Sequence, residues 1–195
     1  MHRHIGIYAG AFDPVHQGHI AFAREAKDFF GLDSVAFLPE ASPYHKPQIT
    51  DVQHRIALLR HELAAYPGLC VAQLRTPRFT VRAALPEIYA RFGRSGLVFL
   101  FGSDVVPSFV HWPDIDLLLK NHVFAIGLRA QDTEADVAQA FAVLEANYRI
   151  PIRWVALRTS NHAASSTAVK TQGDGFAGMS AGSRQYIRDQ GLYIL

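Results

Sequence analysis

The run Gly96-Leu-Val-Phe-Leu-Phe-Gly102 is apolar at five consecutive positions between two glycines. A half-exposed strand alternates apolar and polar residues, and a surface helix repeats its apolar face every three to four. An unbroken apolar run this short suits neither; it suits a strand covered on both faces, as in the middle of a parallel sheet.

The rest of the chain agrees with that placement, because strand-like and helix-like segments alternate along it. Ile5, Ile7 and Tyr8 open a first strand that breaks at Gly10, and a helix follows to about Phe30 with Gly31 as its C-cap. Val35–Leu38 reads as the second strand and ends at Pro39. Thr50-Asp51-Val52-Gln53 has a capping-box pattern, and Val52, Ile56, Leu59 and Leu63 follow at helical spacing. Pro67-Gly68 stops that helix, Leu69–Leu74 is a third strand, and Thr80 caps a helix through Leu85, Ile88 and Phe92. After the apolar run come a fifth strand (Val123–Leu128), an amphipathic helix (Thr133–Tyr148) and a sixth strand (Ile152–Leu157). Short helical pieces near Ser165–Lys170 and Ser183–Gln190 close the chain. The expected fold is α/β: a Rossmann-like open parallel sheet with right-handed crossovers and helices on both faces.

With 195 residues, no internal repeat and no Pro/Gly/Ser-rich linker, a single domain spanning 1–195 is expected. The net charge of +2 is too small to argue for nucleic acid or a membrane as partner. No run reaches the length of a membrane span, and no charged-then-apolar leader precedes the first strand. Cys70 is the single cysteine, so no intrachain disulfide forms, and a reducing, cytoplasmic location fits.

Ligands of open parallel sheets bind outside the carboxyl ends of the strands, near the switch in strand order. That directs attention to loops 10–19, 39–50, 75–80, 102–112 and 158–170. The first reads Gly10-Ala-Phe-Asp-Pro-Val-His16-Gln-Gly18-His19. A strand running into a helix start brings free N–H groups and the positive helix end to the sheet edge, which makes an anion site. His16 and His19, three apart, share a face of the first turn, and Gly18 leaves bare backbone between them. Zinc would need a third ligand, and neither Cys70 nor a His-Glu-x-x-His string supplies it. A purely structural pair of helix-start histidines is the other reading.

The remaining loops carry weaker signals. Lys46 lies between prolines in the second loop and can meet phosphate as a point charge, although a solvated lysine is the ordinary alternative. Arg55 can turn back to the cleft or out to water. Asp104, just past the apolar strand, suits ribose hydroxyls or a helix N-cap. Trp112 can stack on a flat ligand or join the core. Ser165, Ser166 and Thr167 with Lys170 suit phosphate at a helix start, or merely cap a surface helix. No Gly-x-x-x-x-Gly-Lys-Ser/Thr phosphate loop is present.

Together these motifs resemble one family. The Gly10–His19 string is similar to the His-x-Gly-His signature of the nucleotidyltransferase superfamily. Within it the chain resembles bacterial nicotinate-nucleotide adenylyltransferases, through Tyr44-His45-Lys46, His54-Arg55, Phe79-Thr80-Val81, Gly102-Ser-Asp104, Trp112, Ser165–Thr167 and the closing Tyr186-Ile187…Gly191-Leu-Tyr193. The resemblance implies adenylyl transfer from ATP, with Mg2+, to nicotinate mononucleotide, giving the deamido dinucleotide and pyrophosphate in NAD biosynthesis. It implies that His16, His19 and Lys46 serve catalysis. Gly10, Ala11, Phe12, Gly18, Gly102, Asp104, Ser165, Ser166, Thr167 and Lys170 would hold ATP. Lys46, Arg55, Thr80, Trp112 and Arg129 would receive the pyridine nucleotide. The expected partners are therefore ATP and a pyridine mononucleotide, and a homo-oligomer stays open.

Three positions depart from the family pattern. Lys170 replaces an arginine, and Arg78 and Arg82 replace residues that are usually small and acidic. Alternative acceptors such as nicotinamide mononucleotide or phosphopantetheine, or a non-catalytic nucleotide-binding role, are the competing readings.

Overall fold

The computed structural model describes residues 3–43, 48–129, 131–158, 176 and 178–193. Among them, six strands pair in parallel: β1 (Ile5–Gly10), β2 (Ser34–Pro39), β3 (Leu69–Val71), β4 (Leu97–Gly102), β5 (Val123–Gly127) and β6 (Arg153–Leu157). Their order is β3-β2-β1-β4-β5-β6. The helices are α1 (Gln17–Phe30), α2 (Val52–Leu63), α3 (Val81–Phe92), α4 (Ile115–Leu119), α5 (Glu134–Tyr148) and α6 (Ala181–Asp189), with a 3-10 turn at Val106–His111.

The apolar run is β4, and its side chains divide by parity. Leu97, Phe99 and Phe101 enter a core with α3, α4 and α5, while Val98 and Leu100 enter a second core with α1, α2 and α6. All five are buried, as a strand covered on both faces requires. Burying each such side chain contributes about 1.5–3 kcal/mol, so this strand anchors both layers.

From β1 the chain builds outward to β2 and β3, then crosses back to lay β4 on the other side of β1. The switch in strand order therefore lies between β1 and β4, and the crevice outside their carboxyl ends is the topological ligand site.

Local details refine the expected boundaries. Asp51, not Thr50, caps α2, its carboxylate accepting the Gln53 N–H at 2.8 Å. Thr133 and Asp136 form the reciprocal capping box of α5. β3 stops at Val71 rather than Leu74, because the chain turns away from the sheet there. The N–H groups of Arg75 and Thr76 bond the Glu87 carboxylate of α3, at 2.7 and 3.0 Å, in place of a neighbouring strand. The 102–112 region, expected as a loop, contains the 3-10 turn, and α4 follows it. The helical piece expected at Ser165–Lys170 lies outside the described residues. Among the described residues no helix is long and apolar enough to cross a membrane.

Candidate nucleotide site

β1 delivers the chain to the switch point, and a left-handed residue turns it. Phe12 has φ 47°, is buried, and packs edge-on against Tyr8 and His19, with ring centroids 5.2 and 5.1 Å apart. α1 then begins at Gln17. His16 is not inside the helix as expected; it is the extended N-cap (φ −145°, ψ 170°), and His19 is the third helical residue. The two rings nonetheless stack, 3.7 Å apart and 27° from parallel. N-cap and third position are neighbours across a helix start, which gives the same adjacency by a different route.

The backbone N–H of His16 donates to Nδ1 of His19 at 3.2 Å. An imidazole nitrogen that accepts carries no proton, so in neutral His19 the proton sits on Nε2, which is then a donor. The first turn of α1 contains no acidic residue to offset the positive helix end. His16 is buried and His19 half-buried, with Gly18 between them partly exposed as the second residue of α1.

Arg55 turns back to the cleft loops and not out to water. It is fully buried and donates to three main-chain carbonyls: Ala11 at 2.6 Å, Thr50 at 2.7 Å and Ala41 at 3.2 Å. It thus ties the β1–α1 turn to both ends of the β2–α2 loop. Burial lowers its pKa, against which Asp13 acts as the leading charge. Lys46 of that loop, with Tyr44, His45 and Pro47, lies outside the described residues.

On the other side of the switch, Gly102 ends β4 and Asp104 follows. Asp104 is not a helix cap: its carboxylate accepts from Arg129 Nη2 at 2.9 Å, both side chains being about half exposed. That bond raises the Arg129 pKa. A Cβ on Gly102 would collide with Asp104 Oδ1, so this glycine is what allows the carboxylate to lie where it does. Ser103, buried between them, ties β4 to β5. Its N–H donates to Gly127 O at 2.9 Å, its Oγ accepts the Arg129 N–H at 3.1 Å, and the same Oγ donates to Asp132 Oδ2 at 2.5 Å. Tyr8 connects the two sides of the switch. Burial pushes its phenol far up, the charges of Arg129 and Asp104 act on it in opposing directions, and the His19 ring lies 6.0 Å away.

A cavity of about 210 Å³ opens beside this cluster, and Ser103, Asp104, Arg129, Asp132, Val106 and Val137 are among its lining. His16 and His19 do not line it. Sequence reasoning missed Ser103 and Asp132, whose roles depend on contacts between the ends of different strands.

Thr80 is the extended N-cap of α3 and makes no capping bond with its side chain. Trp112 is half-buried, and its Nε1 donates to Ser108 Oγ at 3.1 Å. Phe109, Phe101 and Phe79 surround its ring at 4.9, 5.8 and 6.1 Å, so it is both packed and partly accessible. The two unexpected arginines bind neighbouring loops. Arg78 Nε donates to Ser42 O at 2.8 Å, and Arg82 pairs with Asp114, two residues past Trp112.

Ser165, Ser166, Thr167 and Lys170 lie outside the described residues. Near the end of the chain, Gly178-Met-Ser180-Ala-Gly182 has the Gly-x-Ser-x-Gly spacing of a nucleophile elbow. Ser180 instead caps α6, its Oγ accepting the Ser183 N–H at 3.2 Å. Among the described residues no three His, Cys, Asp or Glu side chains converge as metal ligands.

Residues 7–172 match the cytidylyltransferase-like family. A Bordetella pertussis protein named "Probable nicotinate-nucleotide adenylyltransferase" is 31% identical over 146 residues, 74% of each chain. Its namesake from Neisseria meningitidis serogroup C is 30% identical over 199 residues, 97% of this chain and 98% of its own. Among solved structures, Plasmodium falciparum nicotinic acid mononucleotide adenylyltransferase complexed with NaAD aligns with a TM-score of 0.76 over 98% of both chains. At 16% identity, that likeness establishes the shared fold. A parallel sheet with this strand order, a stacked histidine pair at its switch point, and relatives spanning the chain together show that it belongs to the nicotinate-nucleotide adenylyltransferase family of nucleotidyltransferases.

Proposed function

We propose that the chain transfers the adenylyl group of Mg·ATP to the phosphate of nicotinate mononucleotide. A phosphate oxygen of the mononucleotide attacks the α-phosphorus of ATP. The bond from that phosphorus to the bridging oxygen breaks, and pyrophosphate leaves with the electron pair. The products are the deamido dinucleotide and pyrophosphate. Magnesium enters with ATP as part of the substrate, since small hard cations are commonly carried by phosphates.

The observation that carries this reading is the stacked His16–His19 pair at an α1 start that has no acidic residue. The reaction needs no enzyme nucleophile; it needs two anions aligned and the charge shed onto pyrophosphate stabilised. His19 Nε2–H and the helix start meet that need with preorganised donors. Gly10, Ala11, Phe12 and Gly18 form the surrounding backbone. Asp104 receives ribose hydroxyls while Arg129 holds its carboxylate in place. Trp112 stacks on the pyridine ring, and Thr80 is assigned to the same mononucleotide from sequence. Lys46, Ser165, Ser166, Thr167 and Lys170 are assigned phosphate contacts from sequence. Arg55 serves by holding the turn rather than by touching the mononucleotide.

The test is to incubate the protein with ATP, Mg2+ and each acceptor in turn and to measure pyrophosphate. Release with nicotinate mononucleotide in clear preference to nicotinamide mononucleotide and phosphopantetheine supports the reading. Release only with another acceptor, or ATP binding without any release, refutes it.

A further inference from the structure

The turn that carries the histidines is under backbone strain and is held from the far end of the chain. Phe12 sits at φ 47°. A bulky side chain in that region is strained, and the conformation persists only where its surroundings hold it. The residues on either side are both tied down. Arg55 grips the carbonyl of Ala11 at 2.6 Å. Asp13, 2% exposed, accepts from the hydroxyl of Tyr193 at 2.8 Å, 180 residues later in the chain.

A second tie from the same segment falls just past His16. Gln17 Nε2 donates to the carbonyl of Gly178 at 3.2 Å. The segment is itself anchored on α2. Buried Glu62 accepts the Ser180 N–H at 2.7 Å, and His54 Nδ1 lies 2.9 Å from the Tyr186 hydroxyl. Residues 178–193 thus hold the histidine turn on both sides of His16, while α2 holds the segment.

We propose that Tyr193 is a positioning residue for the triphosphate site: through Asp13 it braces the strained turn so that the start of α1 presents its donors preformed. This rests on the reading that ATP phosphates lie at that turn. Burial drives the Tyr193 phenol far upward, so it remains a hydrogen-bond donor to the carboxylate at any working pH. Its ring packs on Phe176, 5.9 Å between centroids, and that contact survives loss of the hydroxyl.

The experiment compares Tyr193→Phe with Tyr89→Phe. The control removes a phenol paired at 2.7 Å with His122, which lies just before β5 at the amino edge of the sheet. Amide hydrogen exchange over residues 10–19 and equilibrium affinities for a non-hydrolysable ATP analogue and for nicotinate mononucleotide are measured on both variants and the parent. For Tyr193→Phe, exchange over 10–19 should rise about tenfold, as for a locally destabilised turn. Affinity for the ATP analogue should fall about tenfold while that for the mononucleotide changes less than about twofold. Tyr89→Phe should show neither effect. Unchanged exchange over 10–19 in Tyr193→Phe overturns the brace, and equal loss of both affinities overturns its selectivity for the triphosphate. Absence of pyrophosphate release by the parent protein refutes the transferase reading alone, because exchange and ATP-analogue binding need no turnover.

Discussion

Arg55, in the first turn of α2, donates from Nη1 to the carbonyl of Ala11 at 2.6 Å, across 44 residues of sequence. With its bonds to Thr50 and Ala41, this fully buried guanidinium satisfies three main-chain carbonyls. Arg55→Met keeps much of the volume and leaves those acceptors unpaired. Main-chain acceptors that lose a charged donor cost about 1.5–3 kcal/mol, so the variant should be destabilised by about that much in denaturant unfolding. A loss below about 1 kcal/mol, the size of an exposed interaction, would show that the three bonds hold little.

Gly102 leaves space that Asp104 fills. Gly102→Ala drives the carboxylate away from its position beside Arg129. If Asp104 holds ribose hydroxyls, KM for ATP should rise by roughly 10- to 150-fold, the equivalent of about 1.5–3 kcal/mol for a hydrogen bond to a charged group. Steady-state kinetics with ATP varied checks this, and an unchanged KM removes Asp104 from the nucleotide site.

Trp112 is held by Ser108 and by three phenylalanines, so its ring is already oriented before a ligand arrives. Base–aromatic stacking contributes roughly 1–3 kcal/mol. Trp112→Ala should therefore raise KM for the mononucleotide by roughly 5- to 150-fold, and Trp112→Phe by much less. A rise in KM for ATP instead would assign the ring to adenine.

His122 is buried against Phe99 and Tyr89, and burial, with Arg153 and Arg94 nearby, pushes its pKa down from 6.5 to about 4. Unfolded chain takes up the proton below pH 6.5, whereas the folded protein resists it until about 4. The contribution is thus intact above pH 6.5 and is lost as pH falls towards 4. His122→Gln retains a hydrogen-bonding amide but does not titrate. Its unfolding midpoint should fall less than that of the parent between those two pH values, and parallel curves would exclude His122 as a source of acid sensitivity.

The parts of this fold that were legible in sequence are those set by local pattern. β4 was visible because five apolar residues in a row leave few alternatives, and both faces of it are indeed buried. The histidine pair was visible as a spacing, although the spacing suggested a shared helical face and the contact comes from a capping position. The end of β3 and the choice between the two orientations of Arg55 depend on partners distant in sequence. Glu87 draws off the end of β3, and the carbonyl of Ala11 draws Arg55 inward. Ser103 and Asp132 meet only because β4 and β5 are neighbours, 29 residues apart in the chain. Polar networks between strand ends leave no periodicity to read.

The central claim is that His19 serves through Nε2 while its Nδ1 caps the helix. His19→Asn separates the two, since the asparagine amide oxygen can accept in the place of Nδ1 but nothing replaces Nε2. Pyrophosphate release from ATP and nicotinate mononucleotide should fall by about 10²–10³ in this variant, with the thermal midpoint within about 3 °C of the parent. Turnover within about threefold of the parent, in a variant that folds as well, would contradict the assignment of developing charge to this histidine.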